Sequence, residues 1–123
     1  MVALMNELSQ AIEKAEGFVM LGMGDEAWET LEDLPTEAKN HPRVLELRLE
    51  SLVCLRNWPM AEILGESLAG IMSSSVSVWL SLARIRGQLG KREAALEAVA
   101  RVTALDASKR LGMLNDELLA GVW

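Results

Sequence analysis

Three kinds of side chain in this sequence could do chemistry: one histidine, one cysteine and several runs of carboxylates. His41 stands beside Pro42 with no second imidazole anywhere in the chain. It reads as an exposed or helix-capping residue rather than a base. Cys54 has no second sulfur and no histidine nearby in sequence to activate it, so it reads as a buried structural thiol. A single cysteine permits no intramolecular disulfide, which fits a reducing compartment. The acids between Asp25 and Asp33 could attract a cation, but their spacing of three to four makes one solvated helix face. Gly22-Met23-Gly24 follows a helical stripe, whereas a dinucleotide loop follows a strand, so these glycines mark a turn. No zinc spacing and no Ser–His–Asp set occurs. Catalysis requires a nucleophile, base or metal in a closed site. The expectation is a non-enzyme with no catalytic residue, no metal and no cofactor.

The elements that must position these residues are helices. The chain has 123 residues, half of them hydrophobic, with four Trp, one Phe and no Tyr. Leu, Ala, Met, Glu and Arg dominate, and these are good helix formers. An all-α fold is expected. The formal net charge is −6, which argues against nucleic acid, because phosphate binding needs clustered Lys and Arg. Residues 8–41 carry a net −6, residues 42–75 a net −1 and residues 76–109 a net +3. Such a gradient either solvates outer helix faces or serves end-to-end association and steering of a partner. The N-terminal stretch lacks a basic region and meets Glu7, unlike a secretory signal. The longest uncharged stretch, Ser67 to Ala83, is interrupted by Ser73-Ser74-Ser75 and is too short for a span of about 20 apolar residues. A soluble, cytoplasmic protein without a membrane partner is expected.

Apolar residues recur at three and four along the whole chain, the helical period. The first stripe is Leu4, Leu8, Ala11, Ile12, Ala15, Phe18 and Val19, broken at Gly22. A second helix starts near Asp25, runs through Trp28, Leu31 and Leu34, and stops before Pro35. Pro42 suits a first helical position, and Val44, Leu45, Leu49, Leu52 and Val53 follow. Asn57 can take the left-handed turn there. Pro59 opens another helix with Ile63, Leu64, Leu68 and Ile71, and the three serines supply a linker and cap. The stripe Val78, Trp79, Leu82, Ile85, Leu89 ends at Gly90, and its partner carries Ala94, Ala95, Leu96, Val99 and Val102. Asp106 or Ser108 can cap a seventh helix, with Leu111, Leu114 and Leu118 on one face. Trp28, Trp58 and Trp79 fall in these stripes as packing residues. Trp123 ends a greasy stretch and either folds back on the cap or docks into a neighbouring molecule.

One period overlies this pattern. Ala27, Ala61 and Ala95 are 34 residues apart, twice over. Ala15, Leu49 and Ala83 keep the same spacing, as do Gly22, Arg56 and Gly90. The chain thereby resembles the tetratricopeptide repeat, a helix–turn–helix unit of 34 residues with small residues where helices touch closely. Leu49, Arg56 and Arg86 depart from the family pattern, and the proline ending each unit is missing. The resemblance implies a right-handed α–α superhelix, or solenoid, forming one domain over 1–123. Its repeats would be about 8–41, 42–75 and 76–109, with a capping helix at about 107–120.

The resemblance further implies a concave groove lined by the first helix of each repeat, where peptides or partner helices bind. Carried over by phase, its columns hold Ile12, Glu46 and Leu80, then Glu16, Glu50 and Arg84, then Val19, Val53 and Gly87 with Met20, Cys54 and Gln88 beside them. The carboxylate-clamping members of the family place Lys and Asn here. Glutamates would repel such a ligand. An apolar segment bearing Lys or Arg fits better, so a protein-binding adaptor or scaffold is the leading expectation. The alternatives are a small acidic chaperone of the secretion type, and a self-assembly module joined through the end repeats or the C-terminal residues. A groove left idle, or filled by the chain itself, is the competing use of the same residues.

Overall fold

The computed structural model describes residues 2–123. Among the described residues it is all-helical, with seven α-helices, three single 3₁₀ turns and no strand. No helix of these is long and apolar enough to cross a membrane. The chain divides into two compact units, Met1–Asn57 and Trp58–Trp123.

The first unit contains α1 (Val2–Met20), α2 (Gly24–Glu32), a 3₁₀ turn (Thr36–Ala38) and α3 (Pro42–Cys54). The apolar stripe of α1 supplies Leu4, Leu8, Ala11, Ile12, Ala15 and Val19 to a core completed by Leu31, Leu34, Ala38, Val44 and Leu47. Leu31, Leu47 and Leu49 are fully buried, each worth about 1.5–3 kcal/mol on the transfer scale. Pro35 ends α2, and the Leu34 N–H turns back to the Leu31 carbonyl. His41 caps α3, its Nδ1 accepting the Arg43 N–H at 3.2 Å, with Pro42 at the first helical position. Cys54 is half-buried rather than buried, and its Sγ lies 3.6 Å from the Val19 carbonyl.

The second unit contains α4 (Trp58–Ile71), α5 (Val76–Gln88), α6 (Arg92–Leu105), a 3₁₀ turn (Ala107–Lys109), α7 (Arg110–Leu114) and a last 3₁₀ turn (Glu117–Leu119). Helix α5 packs against α4, α6 and the last turn. Ser75 caps it, accepting the Val78 N–H at 3.1 Å. The core is Ala61, Leu68, Val78, Leu82, Ala83, Ile85, Ala95, Ala98 and Val102, closed by Met113, Leu119 and Val122. The single capping helix expected over 107–120 is instead three short pieces. Asp106 caps the first turn rather than a long helix, and Asp116 restarts the chain by accepting the Leu118 N–H. Leu111 and Leu114, expected to face inward, are 70% and 59% exposed, whereas Met113 and Leu119 are buried. Val122 is buried too, and Trp123 turns back to line a hollow against α6.

The 34-residue period is visible in three helix ends. Residues 22, 56 and 90 all have positive φ, at 74°, 54° and 76°. At each, that residue's N–H bonds the carbonyl three back, to Val19, Val53 and Gly87. The next N–H bonds five back, from Met23 to Phe18, Asn57 to Leu52 and Lys91 to Arg86, at 2.8–3.1 Å. This is the left-handed closure that glycine favours. The second of these falls on Arg56 and not on Asn57, so the phase outranked the residue preference. Ala27, Ala61 and Ala95 are all fully buried, as are Ala15, Leu49 and Ala83.

Candidate functional site: two charged helix faces

In the first unit, the expected groove residues Ile12, Glu16, Val19 and Met20 lie on α1, and Glu46, Glu50 and Val53 lie on α3. Glu16, Glu46 and Glu50 do come together, around a residue the groove columns did not include. Arg43, in the first turn of α3, sends Nε and Nη2 onto Glu16 Oε2 at 3.0 and 2.9 Å. Its Nη1 reaches Glu50 Oε2 at 2.8 Å and Glu46 Oε1 at 3.3 Å. Residues 43, 46 and 50 share one face of α3, and Glu16 faces them from α1. Burial alone would lower the Arg43 pKa. The charges and hydrogen bonds of Glu50 and Glu16 outweigh it and hold the pKa above the usual arginine value. The four side chains sum to −2. The signal was present in the sequence as Arg43-x-x-Glu46 and Arg43 seven before Glu50, the spacing of one helix face.

Around this cluster Ile12 and Val19 are half-buried and Val53 is buried. Met20 is 87% exposed at the end of α1. The apolar strip is thus uneven: Val53 is core, and Met20 is fully available to a ligand.

The second unit treats its share of the columns differently. Leu80 is half-buried on α5. Arg84 Nε donates to Asp116 Oδ2 at 2.7 Å. One turn on, Gln88 Nε2 donates to the Leu118 carbonyl at 2.9 Å. Gly87 lies between them. A Cβ there would stand 2.9 Å from Val122 Cγ2 and 3.1 Å from the Leu118 carbonyl, so the 116–122 segment lies on bare backbone. Leu119 and Val122 are 0% and 1% exposed. The α5 face is therefore occupied by the chain itself.

Two hollows lie elsewhere. One of about 410 Å³ in the first unit is lined by Glu7, Ala11, Lys14, Thr30, Asp33 and Pro35, among others. One of about 480 Å³ in the second unit is lined by Val99, Thr103, Arg110, Met113, Leu114 and Trp123, among others. Neither contains an expected groove residue. Trp28 and Trp79 are half-buried under arginines, with Arg48 and Arg101 at 5.0 and 5.1 Å from the ring centroids. Among the described residues, no group of three or more His, Cys, Asp or Glu could hold a metal ion.

Fold and site together define an all-α protein with one acid-rich face on α1 and α3 and one face of α5 covered by the chain's own 116–122 segment. No protein-family model matches the chain, and no curated protein or solved structure matches it at a significant level.

Proposed function

We propose that this chain is a non-catalytic, cytoplasmic protein-binding module of the tetratricopeptide kind, a three-repeat solenoid that captures an apolar segment bearing Lys or Arg. The observation that carries the reading is the Glu16–Arg43–Glu46–Glu50 cluster, net −2, beside exposed Met20 and half-buried Ile12 and Val19. The recurrence of the same left-handed helix end at 22, 56 and 90 supports a repeated unit. Met20 gives an adaptable apolar contact, and the carboxylates select for cations. Helices already folded pay little ordering entropy on binding. The α1–α3 face is the ligand surface, because the α5 face is covered.

Fluorescence anisotropy with a labelled amphipathic Leu/Lys helix, and its Leu/Glu counterpart, tests this. The Lys peptide should bind in a salt-dependent way and the Glu peptide should not. Glu16→Gln with Glu50→Gln removes two charges at nearly constant shape and should weaken binding about tenfold or more. Equal binding of both peptides, or unchanged binding by the folded variant, refutes the reading.

A further inference from the structure

The hollow beside α6 in the second unit has the chemistry of a small-molecule site. Its volume is about 480 Å³, within the usual range for such sites. Helix α6 contributes Val99 and Thr103, α7 contributes Met113 and Leu114, and the chain returns to add Trp123. Thr103 Oγ1 donates to the Val99 carbonyl at 3.1 Å, so its hydroxyl proton is already spent on its own helix. Met113 is buried, while Leu114 and Trp123 keep 59% and 44% of their surface exposed. An apolar occupant of the hollow would take that surface from water.

Arg110 is the only charged side chain lining this hollow among the described residues. It makes no hydrogen bond or ion pair among the described residues. The aspartates on either side of it in sequence are engaged elsewhere. Asp106 accepts the N–H and the hydroxyl of Ser108. Asp116 accepts Arg84 Nε and the Leu118 N–H. The stretch 99–110 carries Arg101, Lys109 and Arg110 against Asp106 alone, which raises the local potential for an anion. An apolar hollow with an unused guanidinium fork complements one chemistry: a greasy body ending in a carboxylate, which can accept two parallel bonds from the fork. A cationic ligand would be repelled, and a second acid on the ligand would find no second cation in the lining.

We propose that this hollow binds an amphipathic monocarboxylate of the medium-chain fatty acid class. The carboxylate sits on Arg110, and the chain lies against Val99, Met113, Leu114 and Trp123. The inference stands on the second unit alone and is independent of the acidic α1–α3 face.

Calorimetric titration of the full chain with decanoate, kept below micelle formation, tests it. Decanoate should bind. Decanol has the same chain without the charge and should bind about tenfold more weakly, and decyltrimethylammonium should not bind. Octanoate, shorter by two methylenes, should bind about tenfold more weakly than decanoate. Arg110→Gln should bring decanoate down to the level of decanol and leave decanol unchanged. Ala104→Phe places a ring in the hollow from its lining and should block every probe. Arg110 and Ala104 are both exposed, so neither change touches the core, and circular dichroism at 222 nm confirms folding. Amide NMR shifts on adding decanoate should be confined to 99–104, 110–114 and 123. The proposal is overturned if decanoate fails to bind at millimolar concentration, or if the three head groups bind alike. It is also overturned if folded Arg110→Gln leaves decanoate affinity unchanged, or if folded Ala104→Phe does not block it. Shifts spread over both units would overturn it in favour of general detergent binding. Concentration-dependent dimers that exclude decanoate would overturn it in favour of self-association.

Discussion

The three helix ends at residues 22, 56 and 90 offer a sharp test of whether the 34-residue phase has physical content. Gly22 and Gly90 have φ of 74° and 76°, and an added Cβ would meet nothing within 4 Å at either. Alanine there therefore costs only backbone strain. That strain is about 1–2 kcal/mol for a left-handed residue. The stiffer unfolded chain returns about 0.4–1 kcal/mol. The balance is a loss of about 0.5–1 kcal/mol for Gly22→Ala and for Gly90→Ala. Gly17 is the internal control. It lies inside α1, has no positive φ, and its Cβ would also meet nothing within 4 Å. Gly17→Ala should gain about 0.5–1 kcal/mol. At position 56 the comparison is Arg56→Gly against Arg56→Ala, since both delete the same side chain. The glycine variant should be the more stable by about 0.5–1 kcal/mol, the reverse of the order inside a helix. Urea unfolding followed by circular dichroism at 222 nm resolves this. With a slope of about 1–3 kcal/mol per molar urea, each change moves the midpoint by about 0.2–1 M. If Gly22→Ala and Gly90→Ala are neutral while Gly17→Ala gains, left-handed closure is not what ends α1 and α5. If alanine equals glycine at 56, Arg56 does not share the role.

Arg43→Met leaves Glu16, Glu46 and Glu50 converging without their cation, and should cost about 1–2 kcal/mol at pH 7. Arg43→Lys, which keeps one cation but not the fork of donors, should recover part of that loss. Urea midpoints at pH 7 check both, and an unchanged midpoint in Arg43→Met counts against the cluster. Asp106 has its pKa lowered by the Ser108 hydroxyl first and the Ser108 N–H second. A lowered folded-state pKa gives stability that is present above the ordinary aspartate value and lost as pH falls through the lowered one. Carbon-detected NMR titration should find the Asp106 carboxyl below that ordinary value. Ser108→Ala should bring it back up, and an ordinary value in the unaltered chain would refute the hydrogen-bonded turn.

Much of the fold was legible because its signals are local. Helical period, Pro35, Pro42, Gly22, Gly90 and Ser75 each act within one turn of chain, and each does in the structure what its chemistry predicts. Arg56 was legible only through phase, since its own preference points elsewhere. The C-terminal region misled for a physical reason. Leu111, Leu114 and Leu118 have helical spacing, but Asp116 gains more by capping a new turn and pairing with Arg84 than by continuing a helix. That gain comes from a residue 32 positions away, which no local pattern contains. Arg43 was missed differently. Its spacing to Glu46 and Glu50 was readable, but the columns carried over from the family did not include its position.

The charged positions explain why one column behaves in two ways. Glu16, Glu50 and Arg84 hold equivalent places in the 34-residue phase, and each has an opposite charge supplied from its own unit. The supply differs. Arg43 is shared by three carboxylates from a position within a core helix. Arg84 meets the carboxylate of Asp116, which lies on a short segment outside the α-helices. On the proposed function a basic ligand brings charge opposite to that of the three glutamates, so salt should weaken its binding.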